Sequence, residues 1–237
     1  MDKERIEELK NFEEIISYIF NDINLLDNAL THRSFANEKQ ENSCKDNERL
    51  EFLGDAVLEL CVSEILMEKF QDYDEGQLSK LRASLVNEKP LTEMAKKFHT
   101  GDFLLLGRGE EFSGGRAKNS ILSDTFEAVI AAIYLDSGYE KSYKYINSLF
   151  QSLIESESDK AVYRDYKTSV QEISQNRFKM IPKYSLISEY GPDHDKIFQI
   201  KLAISDVIST TGIGKNKKEA EQQAAKKAIE KLEKTDS

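Results

Sequence analysis

Apolar positions recur at helical spacing through the first two thirds of the chain and alternate only towards its end. Ile6, Leu9, Phe12, Ile15, Ile16 and Ile19 predict a first helix over residues 4–20, and a short second one follows over 22–30. Residues 38–46 are polar and read as a loop. A long helix is predicted from Asn47 to Phe70. The turn cluster at residues 72–76 then opens another over 77–87. Pro90 suits the start of a helix over 91–98. A nearly all-apolar helix runs over 123–135 and stops at Gly138, with another over 139–154. Residues 107–116 are glycine-rich and read as a loop. No strand precedes them and no GK[ST] follows, which argues against a nucleotide cradle, although Arg108, Arg116 and Lys118 are available to phosphates.

The pattern then changes. Residues 154–160 are Ser/Glu-rich and aperiodic, as in a linker. A helix is predicted over 167–176 and strands over 184–190, 197–204 and 207–212, with Phe198, Ile200, Leu202 and Ile204 alternating with polar residues. A turn covers 191–195, and a final helix over 216–232 gathers Ala220, Ala224, Ala225, Ala228, Ile229 and Leu232 on one face. The expected fold is an all-α domain over 1–154, a linker over 155–163 and a small α+β (α-β-β-β-α) domain over 164–234.

Charge sharpens that division. The 237-residue chain carries a net charge of −10, which argues at first against a nucleic-acid partner. Residues 1–159 hold 18 Lys+Arg against 32 Asp+Glu, whereas residues 160–237 hold 15 against 11. An acidic domain is thus joined to a mildly basic one. Cys44 and Cys61 give neither a disulfide framework nor a metal knuckle. There is no apolar run of transmembrane length and no signal-peptide pattern, so a soluble, reduced, cytoplasmic protein is expected.

The acids that resist explanation as surface charge lie on two helices. Glu48, Glu51 and Asp55 fall at i, i+3 and i+7 on one face, with Glu51 and Asp55 about 6 Å apart along the axis. Leu50, Phe52, Leu53, Val57, Leu58, Leu60 and Val62 surround that row, so the helix is expected to be enclosed by protein. Gly54 costs about 1 kcal/mol against Ala in a helix interior, which predicts close packing there. Asp124 and Glu127 repeat the pattern at i, i+3 on the apolar helix, where Asp124 near the predicted start also reads as a cap and Glu127 falls inside the apolar run. No His or Cys cluster accompanies them, and His32 beside apolar neighbours reads as structural. An all-oxygen set favours Mg²⁺ or Mn²⁺ over zinc and suits metal-assisted phosphodiester hydrolysis. Spacing alone leaves metal binding open, because such acid pairs are common on solvated helices. Glu75, before a helix, reads equally well as capping. Lys215, Lys217 and Lys218 crowd the last helix's N-terminus, where the macrodipole disfavours cations and an anionic partner would resolve the conflict.

NERLEFLGDAVLEL at 47–60 closely resembles the signature of bacterial ribonuclease III. ALTHRSF at 29–35, DEGQLSKLRASLV at 74–86 and SDTFEAVIAAIYLDSG at 123–138 occur in that family's order and spacing. Residues 165–233, with KTSVQEISQ, GPDHDKIF and KNKKEAEQQAAKKAIEKL, resemble a double-stranded RNA-binding domain. The resemblance implies a dimeric, Mg²⁺-dependent endoribonuclease (Mn²⁺ substituting) that cuts both strands of duplex RNA, each partner cutting one. Its products would carry 5′-phosphate and 3′-hydroxyl ends with short 3′ overhangs, and its expected roles are ribosomal precursor, messenger and small-RNA processing. By the same resemblance Glu51, Asp55, Asp124 and Glu127 hold metal, Asp55 and Glu127 being the most critical, while Glu48 and Glu75 form a second acidic pair near the site. Thr168, Gln171, Glu172 and Gln175 face one minor groove, His194 the next, and Lys215, Lys217 and Lys218 the phosphates between. A catalytically silent RNA-binding regulator is the alternative, and an acidic Ca²⁺ scaffold lacks any EF-hand loop.

Overall fold

The computed structural model describes residues 1–39, 45–192 and 196–234, with the backbone alone for 157–165 and 233–234. Their contacts divide into two compact units, Met1–Ile154 and Glu155–Ser237.

The first unit is built of helices: α1 (Lys3–Ile16), α2 (Ile23–Ala29), α3 (Arg33–Lys39), α4 (Glu48–Lys69), α5 (Glu75–Leu85), α6 (Glu88–Lys97), α7 (Thr100–Phe103), α8 (Arg108–Phe112), α9 (Asn119–Ser137) and the start of α10 (Tyr139–Phe178). Side chains set several of the boundaries. Asp2 and Asp22 cap α1 and α2, and Asp74 with Gln77 forms a capping box on α5. Gly138 closes α9 at φ 75°, a conformation that side chains with a Cβ rarely adopt.

α9 is the central helix, and α2, α4 and α6 pack on it. Ile121, Leu122, Phe126 and Ile130 face one apolar cluster with Val57, Leu58, Cys61, Val62 and Phe150. Ala128, Val129, Ala131, Ala132 and Ile133 face another with Leu9, Phe12, Leu26 and Leu30. A helix buried on both sides reads as apolar all round, as the sequence of α9 does.

Several expectations need correction. α4 is not enclosed: Phe52, Leu60 and Met67 are 81%, 56% and 64% exposed, so the chain covers only part of its circumference. The glycine-rich stretch is not a plain loop, since it holds α8 and a 3-10 turn over Gly115–Ala117. α3 begins inside a segment without apolar periodicity and reaches into the expected 38–46 loop. Residues 155–163, read as aperiodic, are helical within α10, in keeping with the helix propensity of their Glu, Lys and Ala.

In the second unit β1 (Lys183–Tyr190), β2 (Ile197–Ile204) and β3 (Ile208–Gly214) form an antiparallel sheet in sequence order. α11 (Lys217–Lys234) packs on β2 and β3. Ala224, Ala225, Ala228 and Leu232 of α11 meet Leu202, Ile204, Ile208 and Val170 in the core. Gly212 admits the helix, because a Cβ there would lie 2.0 Å from the Ala220 carbonyl oxygen.

Candidate active site

The site forms where α4 crosses α9. A Cβ on Gly54 would lie 1.9 Å from the Glu127 carbonyl oxygen, so only glycine lets the two backbones approach this closely. Glu51 lies one turn before that contact, Asp55 directly after it, and Glu127 is the contacting residue itself. Carboxylate oxygens of Glu51, Asp124 and Glu127 lie within 4.8 Å of one another, all three side chains being half-buried.

Crowding of like charges appears in the titration of the set. Burial pushes Glu127 up from its ordinary 4.5 to about 8, and the charges of Asp55, Asp124, Glu51 and Glu59 add to it in that order. Burial also raises Glu51, with Asp124 and Glu48 contributing. Asp124 is raised chiefly by burial, against a hydrogen bond from Ser123. A divalent cation among these carboxylates would relieve the crowding. Oxygen is the only donor type in the set, which suits a hard divalent cation.

Asp55 is exposed and stands outside the group of three, yet it is the first of the charges acting on Glu127. Glu48 is also exposed and is ion-paired to Arg33 at 2.9 Å. Glu75 stands in the first turn of α5, where its carboxylate accepts a hydrogen bond from the Ser79 hydroxyl.

Beside the acids lies a pocket of about 350 Å³, lined among others by His32, Glu48, Glu51, Glu110, Lys118 and Asp124. His32 is brought there by backbone pairing, since its N–H donates to the Leu105 carbonyl and the Leu105 N–H to that of Leu30. The Ser34 hydroxyl accepts from the Gly107 N–H and lies 2.8 Å from His32 Nδ1. Burial pushes the imidazole below its ordinary range. His32 is therefore a lining residue of the site as well as a structural one, and its neighbourhood was hidden by the distance in sequence to Glu110 and Asp124. Glu59, one turn beyond Asp55, continues the acidic row at i+4, and its charge also bears on Glu127.

In the second unit Thr168, Gln171, Glu172 and Gln175 are all exposed at i, i+3, i+4 and i+7 of α10, one helix face. Lys215, Lys217 and Lys218 are exposed at the start of α11. Asn216 accepts from the Glu219 N–H and Glu219 from the Lys215 N–H, so part of that N-terminus is capped internally and the lysine side chains are what it offers. His194 lies outside the described residues.

Comparison with known proteins agrees with this division. Residues 22–153 match the ribonuclease-III-like family model, and residues 166–232 match the double-stranded RNA binding motif. Ribonuclease 3 of Syntrophobacter fumaroxidans is 46% identical over 226 residues, covering 94% of this chain and 93% of that protein. Ribonuclease 3 of Caldanaerobacter subterraneus is 47% identical, covering 94% and 98%. The solved nuclease domain of ribonuclease III from Campylobacter jejuni superposes with a TM-score of 0.56 at 49% identity, covering 62% of this chain and 96% of that one. Two matched domains in this order, with near full-length relatives at such identity, place the chain in the ribonuclease III family.

Proposed function

We propose that this chain is a divalent-metal-dependent endoribonuclease that hydrolyses phosphodiester bonds in double-stranded RNA. The observation that carries the proposal is the meeting of Glu51, Asp124 and Glu127, from two helices, across the Gly54 contact. Glu51, Asp55, Asp124 and Glu127 are the residues that would hold the metal. When bound, Mg²⁺ or Mn²⁺ supplies Lewis acidity, lowering the pKa of water and stabilising charge on phosphate oxygens. The chain's own contribution is to fix the carboxylates on two packed helices, so that little reorganisation is needed at the moment of reaction. Glu48 and Glu75, exposed at two helix starts, extend the acidic surface that the duplex would cross.

The second unit would hold the duplex by shape and phosphate contacts, through the polar face of α10 and the lysines leading into α11. This assigns residues 1–154 to catalysis and 164–234 to RNA binding. Two copies would act together. The stripe Phe52, Leu60 and Met67 on α4 is apolar and exposed, and the Campylobacter jejuni nuclease domain is described as having a region involved in dimer formation. Such a homodimer would cut both strands and leave 5′-phosphate and 3′-hydroxyl ends. Duplexes in ribosomal precursors and messenger RNA are the substrates proposed, in the cytoplasm. Among the described residues no helix is long and apolar enough to cross a membrane.

The test is incubation of a long RNA duplex with the protein, with and without Mg²⁺. Cleavage is expected only with metal, and Glu127→Gln should abolish it while binding persists. Binding without cleavage by the unaltered protein would favour the silent regulator, and full activity in Glu127→Gln would refute the assignment.

A further inference from the structure

Two cations, Arg33 and Lys118, line the pocket beside the acids, and Arg33 is ion-paired to Glu48. Lys118, the N-cap residue of α9, lines the pocket together with Glu51 and Asp124, with a side chain 44% exposed. Its ammonium donates to Glu110 Oε1 at 2.5 Å and to Ser113 Oγ at 2.9 Å. An ammonium has three N–H donors, so one remains without a partner among the described residues. Both partners come from α8 and its C-cap, and they hold the Lys118 side chain at the pocket.

The neighbouring cation is used differently. Arg116 donates to Glu111 and to the carbonyl oxygens of Gly101 and Leu104, so its guanidinium is engaged in holding the segment together. Among the described residues Lys118 shows no such tie to main-chain carbonyls. Fold stability explains its position poorly. A half-exposed ion pair adds little to stability, and a cation at a helix N-terminus is disfavoured by the macrodipole to a similar small extent. Those terms are of similar size and opposite sign. What the position does provide is a positive donor in the same pocket as the acids that would hold metal.

We propose that Lys118 contacts a backbone phosphate of the RNA in the cleavage pocket, using its remaining N–H, with Glu110 and Ser113 holding the ammonium in place. The inference rests on the nuclease reading above and adds to it a contact made by the first unit, separate from the lysines around α11. An ammonium recognises phosphate as a point charge and not by sequence, so the contact would serve every duplex alike.

The experiment measures binding of a long RNA duplex by the full chain in the Glu127→Gln background, as a function of salt. Lys118→Met, which keeps the aliphatic stem, should weaken binding and reduce the slope of log affinity against log salt by about one. Lys118→Arg should restore the slope. Lys118→Gln is the second neutral variant, in case the first folds poorly. A salt slope equal to that of the Glu127→Gln background in both neutral variants overturns the proposal, and lowered melting temperatures with that slope would identify Lys118 as a tether for the α8 segment. If the Glu127→Gln background itself cleaves the duplex, it is the assignment of the acids that fails. Cleavage there can then be stopped by chelation and the Lys118 contact still measured.

Discussion

At the residue scale, Glu127 concentrates what the site needs. Its carboxyl is pushed to about 8 by burial and by four neighbouring acids. In the metal-free native state it keeps a proton between about pH 4.5 and about pH 8, where the unfolded chain has released it. More protons bound in the folded state means that stability falls as pH rises through that window. Thermal melts in chelator should therefore show a lower melting temperature at about pH 8 than at about pH 6, and Glu127→Gln should flatten the difference. Metal binding requires the ionised carboxylate, so affinity should rise with pH over the same window and binding should release a proton. A melting temperature unchanged between those pH values in both proteins would remove Glu127's burial from the account. His32 teaches the complementary lesson. Its local sequence is that of a structural histidine, and its Nδ1–Ser34 contact bears that out, yet the chain also places it among the acids. A short window of sequence contains half of that description.

At the element scale, the crossing of α4 and α9 carries the most information per residue. The cost of Gly54 in a helix predicted a close neighbour, and the neighbour is the Glu127 backbone. Gly54→Ala should force the helices apart, destabilise the protein by about 1–3 kcal/mol and reduce cleavage by more than the loss of folded protein explains. Urea unfolding beside specific activity checks both effects, and a variant as stable and active as the parent would mean the contact is not needed. The apolar helices, the alternating strand β2 and the Ala-rich face of α11 were legible, because one-sided or two-sided burial writes a period into the sequence. α7 and α8 were not legible, since helices of four and five residues are too short to show one. The acidic residues were legible as rows. That Glu51, rather than Asp55, joins Asp124 and Glu127 depends on where two helices cross, which no spacing along one helix encodes.

At the scale of the whole molecule, the exposed stripe on α4 marks the difference between a folded chain and the proposed active assembly. The sequence suggested burial of Phe52 and Leu60, and the single chain leaves both uncovered. A second copy seated there would restore the enclosure that the pattern implied. Phe52→Asp should yield a folded monomer in sedimentation at concentrations where the parent is dimeric, with activity reduced at least tenfold. A dimer in both proteins would move the interface elsewhere.

The central claim is that acids from α4 and α9 share a divalent ion, and anomalous diffraction from crystals soaked in Mn²⁺ tests it most directly. The expected result is a peak bonded to carboxylate oxygens of Glu51, Asp124 and Glu127, with Asp55 beside it, and no such peak in Glu127→Gln crystals. Full occupancy of Mn²⁺ at a site that none of these four carboxylates touches would contradict it.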